Sequence, residues 1–392
     1  MTLLRLLLVA SLLSHSACTG ERLLDAPPAS QVDAARIPGY EKIRFSGTRD
    51  DLILQDAAKE LTAQIRARIK DEGKRPNNGI FDVLVLSGGG SDGAFGAGLL
   101  QGWSERGDRP EFGIVTGIST GALIAPFAFL GSEYDDELRR LYTQTATKDI
   151  VSFAILEGLF GAPGLTDPEP LRLALAREIT PEVVELIGIE HLKGRRLWVG
   201  TSNLDTQRPV IWDLGAIAIT GRKDAPELIR EIILASASIP GAFPPVFFTV
   251  EANGRRYAEL HVDGGVTRQL FLFPQPDAVQ DNVEGVEPDR RGAMRRGTVY
   301  AIRNSKLGPD FSETPAGILE IAERSLSTLL KYSGNTDLLL LRTQADAAGF
   351  KIKIVGVPKE FDVKETELFD PIYMNALFTV GEEMGQTGVP WR

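Results

Sequence analysis

Twice in close succession the chain runs from an unbroken apolar stretch through a glycine-rich turn into small and apolar residues at helical spacing. The first run is "IFDVLVL" into "SGGGSDGAFGAGLL", the second "EFGIVTG" into "ISTGALIAPFAFLG". An apolar run too short for a helix and bounded by glycines reads as a strand covered on both faces. When strand, turn and helix repeat at once, the strands lie parallel, because the helix must return the chain across the sheet before the next strand begins. The pair of units therefore commits the chain to an α/β sheet. Strand patterns at "RRLWVGTSNL", "RPVIWDL", "RRYAELHVDGG", "TVYAIRNS" and "FKIKIVGVP" extend it, with helical patterns over 135–147, 168–187, 225–237 and 315–346. "FDPIYMNALFTVGEEMG" reads as an amphipathic helix closing the domain, with no chemistry assigned. At 43% hydrophobic residues, a chain of 392 can fill a large core.

The two glycine turns carry the chemistry. Gly88, Gly90 and Gly93 form a G-x-G-x-x-G, the pattern of a dinucleotide-binding turn, which also demands an acidic residue at the end of the next strand. That strand ends instead in Gly117-Ile118-Ser119-Thr120-Gly121. G-x-S-x-G between a strand and a helix exposes a serine hydroxyl at the carboxyl end of the sheet, and the glycines leave room in a tight turn. Adjacent units set the N–H groups of Gly88, Gly89 and Gly90 beside Ser119, where they can hold the oxygen that turns negative during acyl transfer. Pyrophosphate binding is the second reading of the loop. A P-loop is excluded, since no Gly-Lys-Ser/Thr follows.

A serine nucleophile needs a base, and the histidines are His15, His191 and His261. His15 falls in the leader, and His191 in "IEHLKGRR" reads as a surface turn. His261 precedes Asp263 on the same face of a strand, a poor geometry for a Ser-His-Asp relay, so it reads as packing within the sheet. Asp263, followed by Gly264 and Gly265, is better placed to reach a serine directly. A carboxylate is a weak base unless its pKa is raised, so this pairing implies a desolvated site.

With these residues assembled, the chain resembles the patatin-like phospholipases: the glycine loop (Gly88, Gly89, Gly90, Gly93), the serine elbow, "ASASIPGAFPPV" from Ala235 to Val246, and Asp263-Gly264-Gly265, in the family's order over roughly 80–270. The resemblance implies a three-layer α/β/α fold with a mainly parallel central sheet, related to the α/β hydrolases. It also implies a Ser119–Asp263 dyad without histidine, an oxyanion hole from Gly88, Gly89 and Gly90, and hydrolysis of lipid acyl esters of the phospholipase A or lysophospholipase type. Gly93, Gly117, Gly121, Gly264 and Gly265 support the motifs. Asp92 departs from the pattern, standing where many members carry Arg or Lys. The alternatives are a carboxylesterase or acyltransferase for smaller esters, or a non-catalytic lipid-binding envelope lipoprotein. No cofactor and no metal are expected.

The organisation outside the motifs reads as a leader over 1–17, a tether and amphipathic helix over 18–78, and the catalytic domain over 79–392. "MTLLRLLLVASLLSHSAC" has one basic residue, an apolar stretch too short to span a bilayer and small residues before Cys18, the chain's only cysteine. This resembles a bacterial lipobox, with His15 where an aliphatic residue is usual, and implies lipidation at Cys18 and export to the cell envelope. Residues 19–49 read as the tether, and Leu54, Ala58, Leu61, Ile65 and Ile69 mark the helix. Residues 149–164 read as a buried helix or as a flap meeting lipid, and the Arg-rich 281–297 as solvated surface. The formal charge of −10 argues against nucleic acid as a partner and is compatible with a lipid or ester substrate at a membrane surface. The oligomeric state is not legible.

Overall fold

A computed structural model describes residues 22–46, 82–143, 152–153, 166–272 and 297–392. The leader with Cys18, the amphipathic pattern of 50–70, nearly all of 149–164 and the Arg cluster of 281–297 lie outside the described residues.

In chain order the elements are β1 (Arg44–Ser46), β2 (Asp82–Leu86), α1 (Gly93–Arg106), β3 (Phe112–Ile118), α2 (Thr120–Leu130), α3 (Asp135–Thr143), β4 (Ser152–Phe153) and β5 (Thr166–Asp167). There follow α4 (Glu169–Glu178), α5 (Pro181–Leu192), β6 (Arg196–Asn203), β7 (Arg208–Asp213), α6 (Leu214–Ala218) and α7 (Ala225–Ser236). The last are β8 (Val246–Ala252), β9 (Arg255–Asp263), β10 (Thr298–Lys306), α8 (Ile318–Ala348), β11 (Lys351–Val357) and α9 (Pro371–Thr387).

The central sheet runs β1-β7-β6-β3-β2-β10-β11, with β9 on β6 and β8 on β9. From β6 to β11 the neighbours are all parallel, and the antiparallel pairs gather at the other margin. Strand alternation sorts the core into two layers. Leu84, Leu86, Val115, Val199 and Ile302 face one side, with α1, α2, α5, α7 and α9 packed over them. Val83, Val85, Ile114, Trp198, Val299 and Ala301 face the other, beneath Leu270–Leu272 and the second half of α8. With helices on both sides, the sheet is the middle of three layers, which is why its central strands carry no polar face.

Several expectations are revised. The tether of 19–49 is docked over 22–46: β1 pairs antiparallel with β7, and Ala35, Ile37, Tyr40, Ile43 and Phe45 are buried. An edge segment lends the core a side chain only every few residues, so no period betrays it. The helix expected over 168–187 is two, broken where Thr180 caps the second and Pro181 opens it. His191 sits buried on the last turn of α5, its Nδ1 3.5 Å from Asp213 Oδ1. Strand β8, which the strand patterns above do not include, forms a hairpin with β9 through Asn253-Gly254, both at positive φ.

Candidate active site

The register of β6 brings the site together. Strand β3 pairs with the first part of β6 and stops where Ile118 faces Gly200. One residue further on, β9 takes over along the same edge, running the opposite way, and ends where Asp263 faces Thr201. Two strands thus end against each other on one template, and the residue after β3 meets the last residue of β9. Ser119 and Asp263 come together there close enough for the hydroxyl to favour the ionised carboxyl, and both are buried.

Ser119 sits at φ 53 and ψ −125, a strained conformation for a residue with a side chain. Its N–H donates to Ser236 Oγ at 3.0 Å, and the Ser236 hydroxyl donates to the Gly200 carbonyl at 2.7 Å, so α7 pins the elbow to β6. The flanking glycines are steric necessities. A Cβ on Gly121 would lie 2.5 Å from the Leu86 carbonyl oxygen, and one on Gly117 2.4 Å from that of Gly121. Gly93 rests on Thr120 and Gly264 on the Gly200 carbonyl.

The glycine loop lies against the serine because β2 and β3 are neighbours, Leu86 opposite Gly117. A Cβ on Gly88 would stand 3.1 Å from Ser119 Cβ, and one on Gly89 would collide with the Asn304 carbonyl. Asn304 itself is tied to the loop by bonds to Ser87 Oγ and the Ser87 carbonyl, both 2.8 Å. Gly90 turns at φ +56, and α1 begins at Gly93. Among the described residues the N–H groups of Gly88, Gly89 and Gly90 have no acceptor within the protein.

Burial pushes the Asp263 carboxyl up to about 7, against the Ser119 hydroxyl and the Gly265 N–H, whose bonds favour its charged form; the latter is 2.6 Å long. A carboxyl so poised can accept a proton near neutrality. His261 is placed otherwise. It is fully buried between Trp212 and Phe248, with Nδ1 2.8 Å from Thr201 Oγ1 and Nε2 3.3 Å from Glu259 Oε2, so both ring nitrogens are engaged.

From Ser119 opens an apolar cavity, lined by Gly90, Leu123, Leu141, Leu171, Ile239, Phe243 and others. "ASASIPGAFPPV" supplies Ala237, Ile239 and Phe243 to this wall, together with Ser236 behind the elbow. The C-terminal helix, expected only to close the domain, contributes as well: Met374 of α9 and Phe369 just before it line the same cavity. Asp92 accepts a hydrogen bond from Tyr373, and burial holds its carboxyl at about 7. Ser236 lies in the segment that carries the resemblance, but its place behind the elbow, like those of Phe369 and Met374 on the wall, has no local signal, since nothing local distinguishes a serine or an apolar residue that meets its partner across the fold.

Residues 84–273 match the family model described as patatin-like phospholipase. No curated protein matches the chain. Among solved structures, VipD from Legionella pneumophila is 14% identical, with a TM-score of 0.33; the alignment covers 78% of this chain and 66% of that one.

Proposed function

Because the chain carries a patatin-like phospholipase domain over residues 84–273, we propose that it hydrolyses carboxylic esters of lipids, as a phospholipase A or lysophospholipase, with Ser119 as nucleophile and Asp263 as base. The observation that carries this reading is the meeting of Ser119 with a buried carboxyl held at about 7, where two strands end against each other beside an apolar cavity. Asp263 takes the hydroxyl proton as Ser119 Oγ bonds to the ester carbonyl carbon. The carbonyl oxygen becomes an oxyanion, held by the N–H groups of Gly88, Gly89 and Gly90. Asp263 then hands its proton to the departing alkoxide, leaving an acyl-serine. Water attacks that ester while Asp263 again takes a proton, and the fatty acid leaves as Ser119 recovers its hydrogen. The cavity suits an acyl chain, since nearly all its lining is aliphatic or aromatic. His261 is outside the scheme, its nitrogens being occupied.

A fluorophosphonate probe tests the nucleophile. Labelling at Ser119, found by mass spectrometry and abolished in Ser119→Ala, is expected, as is loss of phospholipid hydrolysis in Asp263→Asn. Near-normal turnover in Asp263→Asn would overturn the dyad, and a folded wild type that neither labels nor hydrolyses would favour a lipid-binding role. Transfer to added alcohol or selectivity for short esters would instead mark an acyltransferase or carboxylesterase. Lipidation at Cys18 and an envelope location belong to the same proposal, and would leave an acylated N-terminal cysteine on the purified protein.

A further inference from the structure

Among the described residues, non-glycine positions with left-handed φ number five, and two of them, Ser119 and Phe369, line the active-site cavity. Strain of this kind persists only where neighbours over-determine the backbone. For Phe369, at φ +61, the neighbours are known. Its N–H is held by Ser91 Oγ and by Glu365 Oε1, each at 3.1 Å, and the Ser91 hydroxyl itself donates to Glu365. Its ring stands 6.4 Å from that of Phe243 across the cavity wall. Ser91 is the residue next to Gly90, which lines the cavity and belongs to the loop beside Ser119. The segment 365–370 is held further by Asp370, which accepts the N–H groups of Thr366, Ile372 and Tyr373. The wall that an acyl chain touches and the loop that holds the oxyanion are therefore one hydrogen-bonded unit.

We propose that Ser91, Glu365 and Phe369 form a latch that couples filling of the acyl cavity to alignment of the Gly88–Gly90 amides, so that a long acyl chain is turned over faster and not merely bound more tightly. The inference rests on the hydrolase reading above. Phe369 is the residue that meets the chain, while Ser91 and Glu365 are positioning residues acting through it and through Gly90. Remote contacts of a substrate raise kcat only if their binding energy is used in the transition state. A shift of that loop by a fraction of an ångström would give this chain such a route, since oxyanion donors act over a narrow range of distance.

The test measures kcat and KM separately on p-nitrophenyl butyrate, octanoate and dodecanoate. In the wild type kcat is expected to climb with chain length. In Ser91→Ala and Glu365→Ala the climb flattens, with kcat on dodecanoate down about tenfold or more and butyrate little changed, and in Phe369→Ala the climb flattens as well. Glu365→Gln, whose amide oxygen can still accept both bonds, should restore the climb, which a loss of folding would not do. Equal losses on all esters in Ser91→Ala, or a chain-length effect confined to KM in the wild type, would overturn the latch and leave the hydrolase reading standing. A folded wild type inactive on every ester would overturn that reading, and the latch with it.

Discussion

At Asp263 the same burial that suits the proposed base costs the fold stability near and above neutral pH. Desolvation lifts its carboxyl from 3.8 to about 7, so the native state holds the proton more tightly than the unfolded chain does. The stability linked to that proton is complete below the ordinary carboxyl pKa and is lost as pH rises through about 7. The proposed catalysis runs the other way, since in that scheme only the ionised carboxylate can take the Ser119 proton. We expect kcat/KM on a soluble ester to rise through about pH 7 as Asp263 ionises. Asp263→Asn, inactive, should melt a few degrees above the wild type at about pH 8.5 and level with it at about pH 4. Equal melting temperatures at both pH values would show that the carboxyl is ordinary. Gly265 still has an acceptor in the asparagine, so the comparison isolates the charge.

Among the elements, the pairing of α1 with α9 carries most strain-free closeness. Gly98 and Gly102 on one helix face the backbone of Phe378 and Glu382 on the other, and Gly381 and Gly385 meet Phe95, Leu99 and Trp103 in return. A Cβ on Gly98 would lie 2.0 Å from the Phe378 carbonyl oxygen. Alanine favours a helix by roughly 1 kcal/mol over glycine, yet here the wedge acts on backbone that cannot step aside. Gly98→Ala is expected to cost about 2 kcal/mol net in urea denaturation, a loss larger than the propensity gained. A stabilised variant would mean that the helices separate easily. Since α1 follows the glycine loop and α9 carries Tyr373 and Met374, this seam also holds the two sides of the cavity in register.

For the whole molecule the N-terminal segment is the test of how much of the chain the domain requires. Arg44 of β1 pairs with Glu259 inside the protein at 2.5 Å. Burial would raise the Glu259 carboxyl, but Arg44, with His261 assisting, holds it down at about 2. Removing residues 22–46 would bare the β7 edge and strip that carboxylate of its guanidinium partner, a loss expected to exceed about 3 kcal/mol by chemical denaturation. Glu259→Gln in the shortened chain should recover part of it; no recovery would put the whole cost on the lost strand. Part of this molecule was legible in order and type. Strand, glycine turn and helix are signals contained within a dozen or so residues, so the parallel core, the Ser119 elbow and the loop beside it could be read from the sequence, β2 and β3 being neighbours in both chain and sheet. The Asn253-Gly254 turn is an equally local signal, so the hairpin of β8 and β9 is written in consecutive residues too. Asp263 stood out by its Asp-Gly-Gly, but its meeting with Ser119 was decided by the two strand ends that share β6. Ser236, Glu365, Phe369 and the docking of residues 22–46 were decided by tertiary structure alone. Periodicity and turn chemistry are written in consecutive residues, whereas a contact between distant parts of the chain exists only once packing has chosen which faces meet.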